Sequence, residues 1–145
     1  MNNQIHISFP AIPINEGVAR MVISGFLMGI DPTIQELEDV KTAVSEAVSN
    51  AVIHAYPGGC GEVRMRATLD ENKLELTIED DGVGIADVQK AMEPMFTSCP
   101  KAERSGMGFT FMESFMDTLS VQSNPDEGCR VCMTKIFGKT DAYEM

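Results

Sequence analysis

Three short patterns carry residues whose types and spacing could do chemistry. The first is Glu46 with Asn50, a carboxylate and a carboxamide one helical turn apart. On a helix turning about 100° per residue, their neighbours are Ala43, Ala47, Ile53 and His54, where a solvated face would carry mixed charges. No lysine or arginine stands at positions 42, 43, 49 or 50, so no local cation explains the glutamate. The second pattern, Asp80-Asp81-Gly82-Val83-Gly84-Ile85, follows an apolar alternating run. An aspartate at a strand end can accept a hydrogen bond from an exocyclic amine such as that of adenine, and glycines let a flat ligand approach the backbone. Asp-Gly is also a favoured hairpin turn, but Ile85-Ala86-Asp87-Val88-Gln89 does not alternate as a returning strand would. In the third pattern, Arg104-Ser105-Gly106-Met107-Gly108-Phe109-Thr110, two glycines open a helical stretch. Backbone N–H groups at a helix start, with the positive end of its dipole, suit a phosphate; a simple hinge is the plainer alternative.

The elements that must position these residues follow from periodicity. Leu37, Val40, Val44, Val48, Ala51 and Ala55 form one apolar stripe, so Glu46 and Asn50 belong to a long helix with that stripe facing the core. Thr33 and Glu36 have capping-box spacing at its start, and Pro57-Gly58-Gly59 ends it. Upstream, Ile5 to Phe9 alternates as a half-buried strand that turns His6 to the wetter face. A first helix is expected from the N-cap Asn15 to Met28, stopped by Gly29, with Val18, Met21, Val22 and Phe26 inward. Glu16 and Arg20 lie four apart on it, either pairing with each other or contacting a partner. Glu62 to Leu69 and Lys73 to Glu79 read as a hairpin joined at Asp70-Glu71-Asn72. Ala86 to Met92 is expected as a short helix and Pro94 to Ser105 as a mobile loop. Phe109 to Leu119 reads as a helix with Phe109, Met112, Met116 and Leu119 on one stripe. Strands follow near Ser120 to Ser123 and Arg130 to Phe137, and Lys139 to Met145 reads as a disordered tail after a single domain spanning 1–138.

Composition narrows the class. A chain of 145 residues with 43% hydrophobic content suits one domain with a real core. Eleven Lys+Arg against 22 Asp+Glu give a net charge of −11, which disfavours direct binding to nucleic acid or anionic membranes. The start lacks a basic segment and a long apolar core, and no uncharged apolar run approaches the ~20 residues of a membrane span, so a cytoplasmic protein is expected. Cys129 and Cys132 form a C-x-x-C on an expected strand, where an odd spacing sends the side chains to opposite faces and prevents chelation. With Cys60 and Cys99 isolated, reduced thiols are the simpler account.

The ordered set E-x-x-x-N, D-x-G-x-G and G-x-G resembles the GHKL ATPase and kinase superfamily, over roughly Ile34 to Phe137. Asn15, Glu16 and Arg20, with Glu103 to Thr110, are similar to the anti-sigma factor serine kinases of sporulating bacteria. That resemblance implies a two-layer α/β sandwich, a mixed sheet with helices on one face. It implies ATP and Mg²⁺ as cofactors, with Glu46 as general base, Asn50 as magnesium ligand and Asp80 as adenine anchor. His54, Gly82, Gly84 and Ile85 would line the nucleotide. Gly106, Met107 and Gly108 would hold the phosphates by their backbones, Phe109 and Thr110 would also belong to the ATP site, and Thr97, Arg104 and Ser105 would lie on a closing lid. Cys129 departs from the hydroxyl residue that relatives often carry there. The implied function is to sequester a sporulation sigma factor and to phosphorylate a serine of its anti-anti-sigma antagonist, with Glu16 and Arg20 binding partners in a homodimer. A nucleotide-gated binding module without catalysis is the alternative, against which Glu46 argues.

Overall fold

A computed structural model describes residues 2–57, 61–85, 92 and 108–138. The described chain runs β1 (Asn2–Pro10), α1 (Ile14–Leu27), a 3₁₀ turn (Met28–Ile30) and α2 (Ile34–Asn50), which continues into one π-helical turn (Ala51–Ala55). There follow β2 (Glu62–Asp70), β3 (Lys73–Asp80), α3 (Gly108–Phe115), β4 (Thr118–Ser123) and β5 (Cys129–Ile136). The expected helix at 86–92 apart from Met92, the whole of the 94–105 loop and its flanking 106–107, Cys60, Cys99 and the 139–145 tail lie outside the described residues.

The five strands form one sheet in the order β1-β2-β3-β5-β4. Val63, Met65, Ala67 and Leu69 on β2 and Leu74, Leu76 and Ile78 on β3 are buried, and their neighbours along each strand are turned outward. Period-2 alternation therefore gives the sheet one apolar face, which the helices cover. The other face is polar, and His6, Arg66, Glu75 and Arg130 line a shallow hollow of about 390 Å³ on it. The two-layer α/β reading holds, but the sheet is antiparallel throughout, where a mixed one was expected. The reason is topological. β3 and β4 run in the same direction with a helix between them, as in a parallel crossover, yet the β4–β5 hairpin inserts β5 between them.

Helix α2 is the central helix, packed by α1 and by α3. Thr33 and Glu36 form the expected capping box, with Thr33 N–H donating to Glu36 Oε1 at 2.9 Å and Glu36 N–H to Thr33 Oγ1 at 3.0 Å. Glu36 Oε2 also accepts from Gly138 N–H at 2.8 Å, which ties the end of the sheet to the start of α2. Although burial pushes the other way, these donors hold the Glu36 carboxyl below its ordinary range.

Helix α1 corrects the expected inward face. Its buried residues are Ala19, Ile23 and Leu27, with Val22 and Phe26 packed against the core, whereas Val18 is 45% and Met21 77% exposed. Ile14, at 73% exposure, and Met28 extend the outward apolar row. Asn15 is not the cap: its side-chain amide donates to the Pro10 carbonyl, and the helix begins at Ile14 with no side-chain cap. At the far end, Phe109–Leu119 is shorter than expected. Met116 lies after the helix and remains buried, and Leu119 belongs to β4.

Candidate functional site

The Glu46–Asn50 pair lies on the flank of α2 that meets α3. Ala43, Val44, Ala47 and Val48 are buried, and Glu46 and Asn50 are half-buried beside them. A Cβ placed on Gly108 would lie 3.2 Å from Glu46 Oε2 and 3.4 Å from both Oδ1 and Nδ2 of Asn50. The first residue of α3 is thus seated on the two polar side chains, and the absent side chain is what keeps that approach open. Two of the three sequence patterns meet here: the acid–amide pair and the glycine that opens the next helix. The start of α3, the end of a helix that suits an anion, thus lies beside the hard oxygen donors displayed by α2. Such oxygen donors beside a phosphate-suited helix start fit Mg²⁺, which takes one or two protein oxygens and fills its shell with water and phosphate.

After Asn50 the helix widens into the π turn that carries His54, half-buried. Single π turns inside helices are uncommon and often accompany functional sites. Here the widened turn ends beneath the Asp80 segment. Val83 N–H donates to the Ala55 carbonyl at 2.8 Å, and Asp81 N–H to Tyr56 Oη at 2.8 Å, while Tyr56 Oη–H donates to the Glu62 carbonyl at 2.7 Å.

Asp80 closes β3 on the same parity as Leu74, Leu76 and Ile78, so strand alternation carries it to the covered face of the sheet. At 8% exposure it is the only buried charged residue among the described ones. Its Oδ1 accepts from Gly82 N–H at 2.9 Å, and the Cys129 backbone N–H also donates to the carboxyl. Burial raises the Asp80 pKa above the ordinary aspartate range, against the opposing pull of those two N–H donors. Next to it, Asp81 faces out and takes a two-pronged bond from Arg64 at 2.7 and 3.0 Å, which holds its carboxyl low. Successive aspartates therefore have opposite environments, a perturbed buried one and a paired exposed one.

The glycines of this turn have a reason that sequence reading did not supply. A Cβ on Gly82 would fall 2.1 Å from the Ala55 carbonyl oxygen, and one on Gly84, at φ +76°, would fall 2.0 Å from that of Asn124. Gly128, at φ +80°, meets the Asp80 carbonyl oxygen in the same way at 2.1 Å. They admit the protein's own backbone on the side a side chain would occupy. Ile85, partly buried against the core, completes the segment: its N–H donates to Ser123 Oγ at 2.7 Å, and that hydroxyl donates to the Gly128 carbonyl at 2.6 Å. Cys129 sits against Asp80, and burial together with that carboxylate pushes its thiol up to about 12. Cys132 is on the opposite face of β5, where Thr77 Oγ1 donates to its sulfur at 3.8 Å, as the odd spacing required.

Of the other sequence-derived candidates, Phe109 is buried in the core, so only its backbone is available to a phosphate, and Thr110 is half-buried on α3. Thr97, Arg104, Ser105, Gly106 and Met107 lie outside the described residues. Arg20 is exposed on α1. Glu16 is engaged with α2: Ser45 Oγ donates to its Oε1 at 2.5 Å and Ser49 Oγ to its Oε2 at 2.7 Å, in part-buried contacts. Sequence reading missed Ser45, Ser49, Tyr56, Ser123 and Gly128. The signal for the first two was present, two hydroxyls at i and i+4 adjoining Glu46 and Asn50.

Residues 9–135 match the family described as "Histidine kinase-like ATPase domain". The chain is 46% identical over 143 residues to the anti-sigma F factor of Bacillus subtilis (strain 168), covering 98% of each chain. The chain belongs to the anti-sigma F factor branch of the histidine kinase-like ATPases. The anti-sigma F factor of Clostridium perfringens (strain 13 / Type A) is 49% identical over 138 residues, 93% of this chain and 97% of that one. The crystal structure of the RsbU and RsbW domains of Rv1364c from Mycobacterium tuberculosis has the same fold over 99% of this chain and 35% of that longer chain, at TM-score 0.69 and 17% identity. The family's ATPase character implies that the chain binds ATP.

Proposed function

We propose that the protein holds Mg-ATP between the Asp80 turn, the Glu46–Asn50 flank of α2 and the start of α3, sequesters a sporulation sigma factor, and transfers the γ-phosphoryl group to a serine of an anti-anti-sigma protein. The observation that carries this reading is the convergence of Glu46, Asn50 and Gly108 in a chain so similar to anti-sigma F factors. Asp80 accepts from the adenine amine, and the N–H groups at the start of α3 receive phosphate oxygens. Mg²⁺, held by Asn50, would neutralise phosphate charge. Glu46 then takes the proton of the attacking serine hydroxyl; phosphoryl transfer asks for little beyond such positioning and charge neutralisation.

The sigma-binding half of the reading is supported by α1, whose exposed Ile14, Val18 and Met21 recur at helical spacing beside the exposed Arg20. An apolar row with an arginine at its edge suits a protein partner, because the guanidinium pairs with carboxylates while losing little entropy per bond. The protein acts in the cytoplasm, as a homodimer; among the described residues no helix is long and apolar enough to cross a membrane.

Incubation with γ-labelled ATP, magnesium and candidate anti-anti-sigma proteins tests this directly. Label on a partner serine supports the kinase. Retention of a sigma factor that depends on nucleotide, with no transfer to any candidate, would instead favour a nucleotide-gated binder.

A further inference from the structure

Glu16 stands in the first turn of α1, where the helix dipole favours a carboxylate, yet its oxygens are turned away from the partner-facing row. Each accepts one hydroxyl from α2, Ser45 at 2.5 Å and Ser49 at 2.7 Å. Within a helix, a serine hydroxyl can bond back to its own preceding turn, so two serines one turn apart that both reach the same glutamate form a tertiary contact. Contacts of hydroxyls with a carboxylate are short and directional, unlike the apolar packing of Ala19, Ile23 and Leu27 that otherwise holds α1 on the core. Ser45 and Ser49 each immediately precede one of the two site residues, Glu46 and Asn50. On the α2 wheel the serines lie to one side of that pair, and the buried Ala43 and Ala47 lie to the other.

We infer that Glu16 is a positioning residue: by clamping Ser45 and Ser49 it fixes the register of α1 on α2, and through α2 the placement of Glu46 and Asn50 against Gly108. This rests on the kinase reading above and deepens it, since the clamp links the helix that carries Arg20 to the helix that carries the base. The Glu16 carboxylate is then one route by which partner contact on the outer side of α1 reaches the site.

The test compares Glu16→Ala, Glu16→Gln, the double variant Ser45→Ala/Ser49→Ala, and the three alanines combined. The serine replacements leave the α1 surface chemically unchanged. Glu16→Ala and the serine double variant should each slow single-turnover transfer about 10- to 100-fold, the scale of a small misplacement of reacting groups. The combined variant should be no slower than Glu16→Ala, because Glu16→Ala already removes both serine contacts. Glu16→Gln keeps one acceptor oxygen and an amide that can donate to the other serine, and should stay within about threefold of wild type. In the nucleotide-free protein, the ¹H–¹⁵N resonances of the Asn50 side-chain amide should move alike in Glu16→Ala and in the serine double variant. Slow transfer by Glu16→Ala with wild-type behaviour of the serine variant would overturn the inference, because Glu16 would then act through something other than the two serines. A lowered Tm with unchanged transfer and unchanged Asn50 resonances would overturn it too, leaving a contact that serves stability alone. A wild-type protein that transfers no phosphate would remove the kinase reading, while the Asn50 resonances would still decide whether the clamp positions that residue.

Discussion

The two ends of the candidate site are built in opposite ways. At Asp80 the chain surrounds a buried carboxylate with its own backbone: N–H groups of Gly82 and Cys129 bond it, and glycines 82, 84 and 128 allow three backbone segments to close in. At Glu46 and Asn50 the polar groups belong to one continuous helix and are placed by what packs on it, α3 on one flank and the Glu16 clamp on the other. The first end is preorganised by turns, which suits recognition of a flat, fixed group. The second depends on helix-to-helix register, which suits a step that a partner can influence. Binding and chemistry should therefore be separable by mutation.

The largest effect expected short of removing the base is at the helix end. Asn50→Ala removes the side chain that would hold Mg²⁺ and should lower both magnesium-dependent ATP affinity and transfer, each by about tenfold or more if the lost contact is worth the 1.5–3 kcal/mol of a charged hydrogen bond. Titration with ATP in magnesium and in EDTA checks it: the two affinities should converge in the variant. At the turn end, Asp80→Asn should weaken ATP binding by about 10- to 100-fold on the same scale and relax discrimination against GTP. Unchanged ATP affinity in a folded Asp80→Asn protein, measured calorimetrically, would sink the adenine assignment. Its effect on the fold should have the opposite sign. The folded Asp80 carboxyl keeps its proton to a higher pH than the unfolded one, so its contribution to stability is full below the unfolded-state pKa and lost as pH rises through the raised folded value. At neutral pH the charge opposes folding, and Asp80→Asn should have a Tm equal to or above that of wild type. ATP affinity of the wild type should also fall on acidification before an ordinary aspartate would protonate, because the protonated carboxyl loses acceptor capacity.

Smaller effects sharpen the contrast between crowded and open glycines. Gly82→Ala puts a methyl 2.1 Å from a backbone oxygen and should cost about 1–3 kcal/mol, whereas Gly25→Ala, whose Cβ meets nothing within 4 Å, should stabilise α1 by about 0.5–1 kcal/mol. Thermal unfolding of the two variants should move in opposite directions.

How far this contrast was legible in the sequence depends on the range of the interactions involved. Asp80 could be found because strand parity and the following glycines are local, and Glu46 with Asn50 because helical spacing is local. The inward face of α1 was misread because two stripes compete on it. Val18 and Met21 are larger and more apolar than Ala19, but the buried face includes the small residue and leaves the larger ones for the outside. The capping box at Thr33 spans a separation of three residues and was readable; the Glu16 clamp spans separations of 29 and 33 residues and was not. The mixed sheet was expected for a similar reason. A helix between two strands does indicate strands running the same way, but only the later β4–β5 hairpin decides which strand lies between them.

The most direct test of the central claim is Glu46→Gln, assayed on one preparation for equilibrium Mg-ATP affinity and for single-turnover transfer to the anti-anti-sigma serine. Glutamine keeps the shape and the packing against Gly108 but cannot take a proton, so ATP affinity should stay within about threefold of wild type while transfer falls by about 10²–10⁴-fold, the usual contribution of a positioned base. Near-normal transfer by a folded Glu46→Gln protein would contradict the division between a binding end and a chemical end.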